Sequence, residues 1–351
     1  DFDTKKLDLL SWASFFVKPA LRNFANQDEV LRRMAAHSLS QIIRLLSLDD
    51  GNCSTLPEEL HELKRNSMQY LAPLYDVTKA TEWKLDPPPD FSFMNGEGKI
   101  RFYQRDGINW LGFLYNYGLN GILADDMGLG KTFQCLCAIS NAHTDEYSHR
   151  IPLDYSQSNV NNAPFSLVVC PPSVIDHWVR ETRNFFPKMP VNAFFTKNEV
   201  TQEMFNRFEG ILVTSYGVVR GALNVLTSRV FTYCVLDEGH VIKNKNAKVA
   251  QAVAKLRARH RLILSGTPIQ NNVEELYSLM DFLMPGYLGT QQSFKKKFEN
   301  LIGRMFNQDA TEKDTERGQE ALQLLHCQVL PFIMRRLRNQ VLEELPPRVT
   351  Y

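Results

Sequence analysis

The sequence lacks long apolar runs and a basic leader segment. No apolar run reaches the roughly 18–20 residues that a transmembrane helix needs, so we expect no membrane span. The first residues, DFDTKKLDLL, contain no basic stretch ahead of an apolar core, so we also expect no secretory signal. The length of 351 residues, at about 100–200 residues per domain, predicts two or three domains.

An excess of charge of one sign and paired cysteines are also missing. The 40 Lys and Arg against 39 Asp and Glu leave a formal net charge of +1. This balance argues against a protein that coats nucleic acid through bulk electrostatics, but it does not exclude a local DNA groove. None of the six cysteines belongs to a C-x-x-C pair or has a nearby histidine at zinc-ligand spacing. We therefore expect a reduced intracellular protein with free thiols.

Residues 1–84 have the pattern of a helical domain. Within DEVLRRMAAHSLSQIIRLL, with Asp28 as the expected N-cap, one helix face is predicted by the spacing of Leu31, Ala35, Leu39, Ile42 and Leu46. The segment resembles the tail of a HEAT-type helical solenoid, although an ordinary helical bundle or cap explains the pattern equally well. Residues 85–98, with a triple proline followed by glycines, predict a linker.

Residues 99–345 have a different pattern, in which short apolar runs alternate with helical stretches. The runs are GILAD, SLVVC, ILVTSY, FTYCVLDE and RLILSG. Such alternation predicts an α/β lobe, a mostly parallel sheet with helices on both faces. We expect a polar surface insertion over 143–163 and a helical protrusion over about 285–333, in which the charged stretch DATEKDTERGQE forms a solvated loop.

The segment GILADDMGLGKT has the strand–loop–helix context of a phosphate-binding loop. Gly128 and Gly130 would let backbone N–H groups turn toward an anion, and the following helix N-terminus adds donors and partial positive charge. Lys131 would reach the β- and γ-phosphates, and the Thr132 hydroxyl would bind Mg²⁺. Asp125 departs from the usual pattern, because a glycine normally stands there.

Two other strand ends carry polar residues. FTYCVLDEGH ends in Asp237 and Glu238, which we assign to Mg²⁺ and to the attacking water, although a solvated strand end is the simpler alternative. RLILSGTPIQNN contains Ser265, Gly266 and Thr267, which could hydrogen-bond the acidic pair and sense the γ-phosphate. The same residues are also good turn formers, so this signal alone is weak.

Two further polar residues have less specific signals. Gln104 precedes Lys131 by 27 positions, and its amide could bind the adenine edge, although the stretch around it reads equally well as an amphipathic helix. His240 follows the acidic pair and is expected to couple hydrogen bonds rather than to bind metal. Basic runs at Lys243/Lys245/Lys248, Lys255/Arg257/Arg259 and Lys295/Lys296/Lys297 could line a DNA groove or form solvated helix faces.

Together these segments resemble the SWI/SNF-type superfamily-2 DNA translocases. The resemblance is carried by YQRDGINWL, ADDMGLGKT, VVCPPSVIDHW, VTSY, LDEGHVIKN, LILSGTPIQNN and FIMRRLRNQVLEELPP. It implies a RecA-like lobe that hydrolyses ATP with Mg²⁺ and steps along duplex DNA. The family's nucleotide contacts would correspond here to Gln104, Met127, Gly128, Leu129, Gly130, Lys131 and Thr132.

The resemblance implies roles for other residues as well. Lys131, Asp237 and Glu238 would be catalytic, with Asp237 and Thr132 holding the metal. Ser265, Gly266 and Thr267 would link hydrolysis to DNA contact together with His240. The contacts to the DNA backbone would correspond to Pro172, Ser173, Thr214, Ser215 and Tyr216.

Departures from the general pattern, such as Gly239 after the acidic pair, are similar to the TATA-binding-protein-associated factor branch of this family. That branch implies a nuclear protein that removes TATA-binding protein from promoter DNA, gripping it through upstream repeats that are not in this chain. A nucleosome-remodelling ATPase and a nucleotide-gated interaction scaffold are the alternatives. The family also needs a second lobe with arginine fingers, so we read 346–351 as the start of a hinge. We expect this chain alone to bind ATP weakly and to hydrolyse it poorly.

Overall fold

The computed structural model describes most of the α/β lobe and part of the N-terminal helical segment. The described residues are 15–17, 19–21, 23, 28–46, 60–62, 64, 100–143, 164–266, 273–307 and 309–341. The predicted linker over 85–98 and the expected hinge over 346–351 lie outside these residues.

The centre of the lobe is a seven-stranded, wholly parallel sheet with the strand order β3-β4-β2-β5-β6-β1-β7. Parallel sheets are covered on both faces, which explains why the strands are near-continuous apolar runs with almost every residue buried. The strands are β1 Gly121–Leu123, β2 Phe165–Cys170, β3 Val191–Phe194, β4 Gly210–Ser215, β5 Phe231–Asp237, β6 Ala258–Leu264 and β7 Ile333–Met334.

Helices connect and flank the strands. In chain order they are α1 Glu29–Leu46, α2 Phe102–Asn116, α3 Lys131–His143, α4 Ile175–Phe185, α5 Gln202–Arg207, α6 Tyr216–Gly221, α7 Leu223–Leu226, α8 Lys248–Ala254, α9 Val273–Leu283, α10 Gln291–Phe294, α11 Asn300–Met305, α12 Glu312–Val329 and α13 Arg338–Val341. Short 3₁₀ turns occupy Pro172–Val174, Lys197–Glu199, Gly239–Ile242 and Leu330–Phe332, and a π-helical turn spans Lys295–Glu299.

The helix α1 packs on the lobe through a face that includes the predicted Ala35 and Leu39 but is shifted away from Leu31. Asp28 caps it as expected, accepting a hydrogen bond from the Val30 backbone at 2.8 Å. Leu31 is 43% exposed, however, whereas Leu39 and Ile43 are buried. The face is rotated because α1 lies against α12, where Gln328 Nε2 donates to the Ser40 carbonyl at 3.3 Å. A HEAT-like arrangement of residues 1–84 stays a prediction.

The charged stretch at 309–320 is mostly helical, so the predicted solvated loop is wrong. Thr311 and Asp314 form a reciprocal capping box, with the Asp314 backbone N–H donating to Thr311 Oγ1 at 3.2 Å. The helix α12 then continues because Ala321, Leu325 and Val329 bury an apolar stripe. The charged residues form its solvated face, which sequence composition alone does not distinguish from a loop.

A buried histidine makes the stability of the lobe sensitive to acid. His260 packs between Tyr115 and Tyr233, with ring centroids 4.5 Å and 5.2 Å away, and no partner reaches its Nδ1 atom in the described part of the chain. Burial lowers the pKa of His260 to about 3. The folded state thus keeps the ring neutral while the unfolded chain protonates near pH 6.5, so stability is lost as the pH falls from about 6.5 toward 3.

We expect the free energy of unfolding to fall by about 2 kcal/mol from His260 alone between pH 7 and pH 5. Urea unfolding at the two pH values measures the loss, and His260→Gln should reduce it. His177→Gln, at an exposed histidine on α4, is the matched control and should retain the wild-type loss. Equal losses in wild type and His260→Gln would contradict the assignment.

Candidate nucleotide-binding site

Three chain segments meet where strands β1, β6 and β5 end. In the sheet register Leu123 pairs with Leu264, and Leu264 pairs with Asp237, so the three strands finish in one row. The residues that follow them therefore emerge side by side at the carboxyl edge of the sheet. Open parallel sheets bind their ligands at this edge.

The loop between β1 and α3 has the backbone that its glycines predict. Gly128 and Gly130 have φ values of 87° and 77°, in the left-handed region that favours glycine. A Cβ atom at Gly130 would also lie 2.6 Å from Gln104 Nε2, so this residue needs both the conformation and the missing side chain. Leu129 is buried and Met127 is 73% exposed, which anchors one side of the loop and leaves the other open to solvent.

Gln104 borders this loop from the first turn of α2. Its side-chain oxygen accepts a hydrogen bond from the Arg101 backbone N–H at 3.2 Å, which caps the helix. Its amide nitrogen faces Gly130. The amphipathic-helix interpretation and the predicted position beside a nucleotide are thus compatible, because the amide oxygen caps the helix while the amide nitrogen faces the loop.

Lys131 begins α3, and its ammonium group is drawn into the loop. The Nζ atom donates to the carbonyl oxygens of Asp125 at 2.7 Å and Asp126 at 3.2 Å. Burial lowers the pKa of Lys131, and the nearby carboxylates, that of Asp125 first, partly oppose the shift. A half-buried cation surrounded by loop backbone suits the binding of a phosphate oxygen. Thr132 follows as the second residue of α3.

The carboxylate of Asp237 is held in a fixed orientation at the end of β5. Trp178 Nε1 donates to Oδ2 at 2.8 Å, and the backbone N–H of Glu238 donates to Oδ1 at 3.0 Å. Burial raises the pKa of Asp237, while the hydrogen bond from Trp178 opposes that shift. Each carboxylate oxygen keeps a further lone pair, so the group can still bind a metal ion or a water molecule.

Glu238 has a strained backbone. Its φ of 54° and ψ of 56° are left-handed, and among the described residues it is the one non-glycine with positive φ. Such strain is typical of residues held in place for function. His240 Nδ1 lies 3.2 Å from Glu238 Oε2, and its coupling role stays a prediction.

The end of β6 completes the site. The Ser265 backbone N–H donates to the Leu123 carbonyl at 3.1 Å, which extends the sheet by one residue. A Cβ atom at Gly266 would lie 3.8 Å from both Glu238 Oε1 and Lys131 Nζ. The phosphate loop, the acidic pair and this turn therefore converge on one point. Thr267 lies outside the described residues.

Comparisons with known proteins identify the family and the fold of the lobe. A family model described as the SNF2-related domain matches residues 103–351. The chain belongs to the SNF2-related family. Among solved structures, the lobe is similar to the Sulfolobus solfataricus SWI2/SNF2 ATPase core in complex with dsDNA. That match has a TM-score of 0.57 and 32% identity, covers 71% of this chain and 47% of the other, and confirms the RecA-like fold predicted for the SNF2-related lobe.

Relatives of the SNF2-related chain among curated proteins are much longer. It is similar to TATA-binding protein-associated factor MOT1 of Saccharomyces cerevisiae, with 41% identity over 346 residues. Human TATA-binding protein-associated factor 172 is 39% identical over 349 residues. Both alignments cover 97% of this chain and 18% of the relative, so the chain spans less than a fifth of the length of these relatives.

The residues predicted to contact DNA fall into two groups in this SNF2-related lobe. Pro172 and Ser173 are exposed in the 3₁₀ turn after β2. The other three hydroxyls are engaged within the protein: Thr214 Oγ1 donates to Phe194 O at 2.8 Å, Ser215 Oγ caps α6, and the Tyr216 hydroxyl donates to Asp237 O at 2.8 Å. DNA contact stays a prediction for all five, and Tyr216 joins its loop directly to the acidic pair.

Two residues of the site were not predicted to belong to it. Trp178 lies within the quoted motif VVCPPSVIDHW, but no local pattern indicated that its indole would reach Asp237, 59 positions later. Arg336 lies within the quoted motif FIMRRLRNQVLEELPP and was given no role at the site, yet it pairs with Asp125 of the phosphate loop. The signal for this second pair was the unusual Asp125 itself, because a buried carboxylate requires a cationic partner.

Proposed function

We propose that this chain is the first motor lobe of an ATP-driven DNA translocase that displaces TATA-binding protein from promoter DNA. The observation that carries the proposal is the convergence of Lys131, Glu238 and Gly266 on one point at the edge of the sheet. A phosphate-binding cation, an acid able to position water and a turn able to sense the γ-phosphate are the parts that phosphoryl transfer needs.

Lys131 would bind the transferred phosphate. Its ammonium group would then exchange its hydrogen bonds with the Asp125 and Asp126 carbonyl oxygens for bonds to the phosphate. Glu238 would accept a hydrogen bond from the attacking water and receive its proton as the water attacks. His240, 3.2 Å from Glu238, would keep that carboxylate oriented. Gln104 would position the adenine from the opposite side of the loop.

The residues at the site fit Mg²⁺. This ion is usually held by one or two carboxylates or hydroxyls together with substrate phosphates and waters, not by a cage of protein ligands. Asp237 and Thr132 offer such a set, and the described residues contain no cluster of three or more His, Cys, Asp or Glu that would hold a metal by themselves. Bound there, Mg²⁺ would neutralise the charge that develops on the phosphates.

The partners are proposed from the relatives. The solved Sulfolobus structure contains dsDNA, and the two curated relatives are named as TATA-binding protein-associated factors. We propose duplex DNA and TATA-binding protein as partners, the latter reached through upstream repeats that this chain does not contain, and the nucleus as the location. No helix in the described part of the chain has the length and apolar character to cross a bilayer.

The test uses a longer form of the protein that carries the upstream repeats and a second lobe. Labelled promoter DNA bound by TATA-binding protein is followed on native gels with ATP or with a non-hydrolysable analogue. We expect release that requires ATP hydrolysis, and little movement of nucleosomes assayed in parallel. Nucleosome movement without release of TATA-binding protein would favour the remodelling alternative.

A nucleotide-gated scaffold is the alternative of another class. It would need nucleotide binding but no acid that positions water, whereas Glu238 lies at the site in a strained conformation. Release by the longer form in the presence of the non-hydrolysable analogue alone would support the scaffold. We also expect the 351-residue chain by itself to hydrolyse ATP slowly.

A further inference from the structure

A buried ion pair lies directly beneath the phosphate loop. Asp125 is fully buried, and its carboxylate is held by Arg336 through three hydrogen bonds. The Arg336 backbone N–H and Nε donate to Oδ1 at 3.1 Å and 2.9 Å, and Nη2 donates to Oδ2. A guanidinium that grips both oxygens of one carboxylate fixes its orientation as well as its charge.

The same arginine contacts both helices that flank the loop. Nη2 donates to Gln134 Oε1 on α3 at 2.8 Å, and Nη1 donates to the Tyr103 carbonyl on α2. Gln134 in turn donates through Nε2 to the Leu129 carbonyl of the phosphate loop at 3.2 Å. Arg336 therefore holds together the loop, α2, α3 and the segment that follows β7.

A glycine in the middle of α2 supports the importance of this cluster. A Cβ atom at Gly107 would lie 1.8 Å from Gln134 Oε1 and 2.8 Å from Arg336 Nη2. Glycine within a helix is about 1 kcal/mol less favourable than alanine, so its presence needs a reason. Space for the Gln134 and Arg336 side chains supplies that reason.

Backbone hydrogen bonds continue the contact along the loop. The Ala124 N–H donates to the Met334 carbonyl at 2.7 Å, and the Asp126 N–H donates to the Arg336 carbonyl at 3.0 Å. The Arg338 N–H donates to Asp126 Oδ2 at 2.9 Å. Residues 124–126 thus run beside residues 334–338, and the two carbonyls that bind Lys131 belong to this stretch.

The charge of Asp125 would oppose nucleotide binding if it were not compensated. A carboxylate buried below a phosphate site repels the incoming anion and competes for Lys131, on which its charge already acts. Removing one partner of a buried ion pair leaves the other charge uncompensated. Arg336 supplies the compensation, because its guanidinium binds both oxygens of the Asp125 carboxylate.

We propose that Arg336 is a positioning residue of the nucleotide site, which neutralises Asp125 beneath the phosphate loop and keeps Lys131 available for phosphate. The inference rests on the proposed ATP-binding function. It assigns to the segment after β7 a role in setting nucleotide affinity, distinct from that of an arginine finger.

The test measures the affinity of the 351-residue chain for a fluorescent ATP analogue with Mg²⁺. Arg336→Gln should weaken the binding of the analogue by roughly tenfold or more, which is the size of effect measured when two residues in contact, here Arg336 and Asp125, are energetically coupled. Adding Asp125→Asn should restore the affinity to within about threefold of wild type, because the neutral pair no longer repels phosphate. Arg335→Gln, at the exposed neighbouring arginine, is the matched control and should bind as wild type does.

The outcomes separate this inference from the proposed function. Absence of binding by the wild-type chain would count against the ATP site itself. Wild-type binding together with unchanged affinity in Arg336→Gln would overturn the role of Arg336. A double variant that is folded in a thermal melt but binds as weakly as Arg336→Gln would reduce Arg336 to a purely structural residue. If Arg336→Gln fails to fold, the double variant is compared with the wild type instead. An affinity within about threefold of wild type supports the role of Arg336, and an affinity about tenfold weaker overturns it.

Discussion

Glu238→Gln is expected to slow ATP hydrolysis by about 10²–10³-fold while leaving nucleotide affinity within about threefold of wild type. The substitution keeps the size and hydrogen-bonding reach of the side chain but removes its ability to take a proton. Affinity should hold because Lys131 and the loop backbone are unchanged, and because one negative charge near the γ-phosphate is lost. The left-handed backbone at residue 238 is shared by wild type and variant, so strain does not confound the comparison.

Single-turnover hydrolysis, with the 351-residue chain in excess over labelled ATP, measures the chemical step. The same variant in a longer form with a second lobe tests turnover on duplex DNA. Glu209→Gln is the matched control, because this exposed glutamate precedes β4 at the opposite edge of the sheet. Wild-type hydrolysis by Glu238→Gln would exclude the role assigned to Glu238 in positioning the attacking water.

Lys131→Met is expected to weaken ATP binding by about 10²-fold, and hydrolysis should fall at least as far. Methionine keeps the apolar stem that packs at the start of α3 but has no cation for the phosphate. In the wild type the ammonium group is held 2.7 Å from the Asp125 carbonyl, poised at the loop before nucleotide arrives.

Equilibrium titration of a fluorescent ATP analogue measures this loss, and thermal melts without nucleotide check that the variant folds. Lys188→Met, at an exposed lysine in the turn after α4, serves as the control and should bind normally. An affinity for Lys131→Met within threefold of wild type would mean that nucleotide binds elsewhere.

The two predictions differ in what they report. Lys131→Met removes binding, whereas Glu238→Gln separates binding from hydrolysis. Observed together, they would distinguish an ATPase from a protein that only binds nucleotide. Both variants keep the Arg336–Asp125 pair, so they test the proposed function whether or not the further inference holds.

The core of the site was predictable because each of its parts is local in sequence. Gly128, Gly130 and Lys131 form one loop, and Asp237 with Glu238 ends one strand. Their meeting follows from a parallel sheet, whose strands all end at one edge. The fold class was predictable for the same reason, since buried parallel strands are short apolar runs that can be recognised one at a time.

Contacts between distant segments were not predictable. The bonds from Trp178 to Asp237 and from Arg336 to Asp125 join residues 59 and 211 positions apart. The exposure of Leu31 on α1 and the helix at Glu312–Val329 were also not predicted. In each case burial depends on which surface comes to lie against the segment.

The sequence by itself therefore determined five of the seven strands, the phosphate loop and the acidic pair, because short-range patterns specify backbone conformation and residue chemistry. Only the tertiary structure decided which partners orient and neutralise those groups. The physical reason is that a buried charge such as Asp125 is stable only beside its counter-charge, and the chain delivers Arg336 to it through the last strand of the sheet.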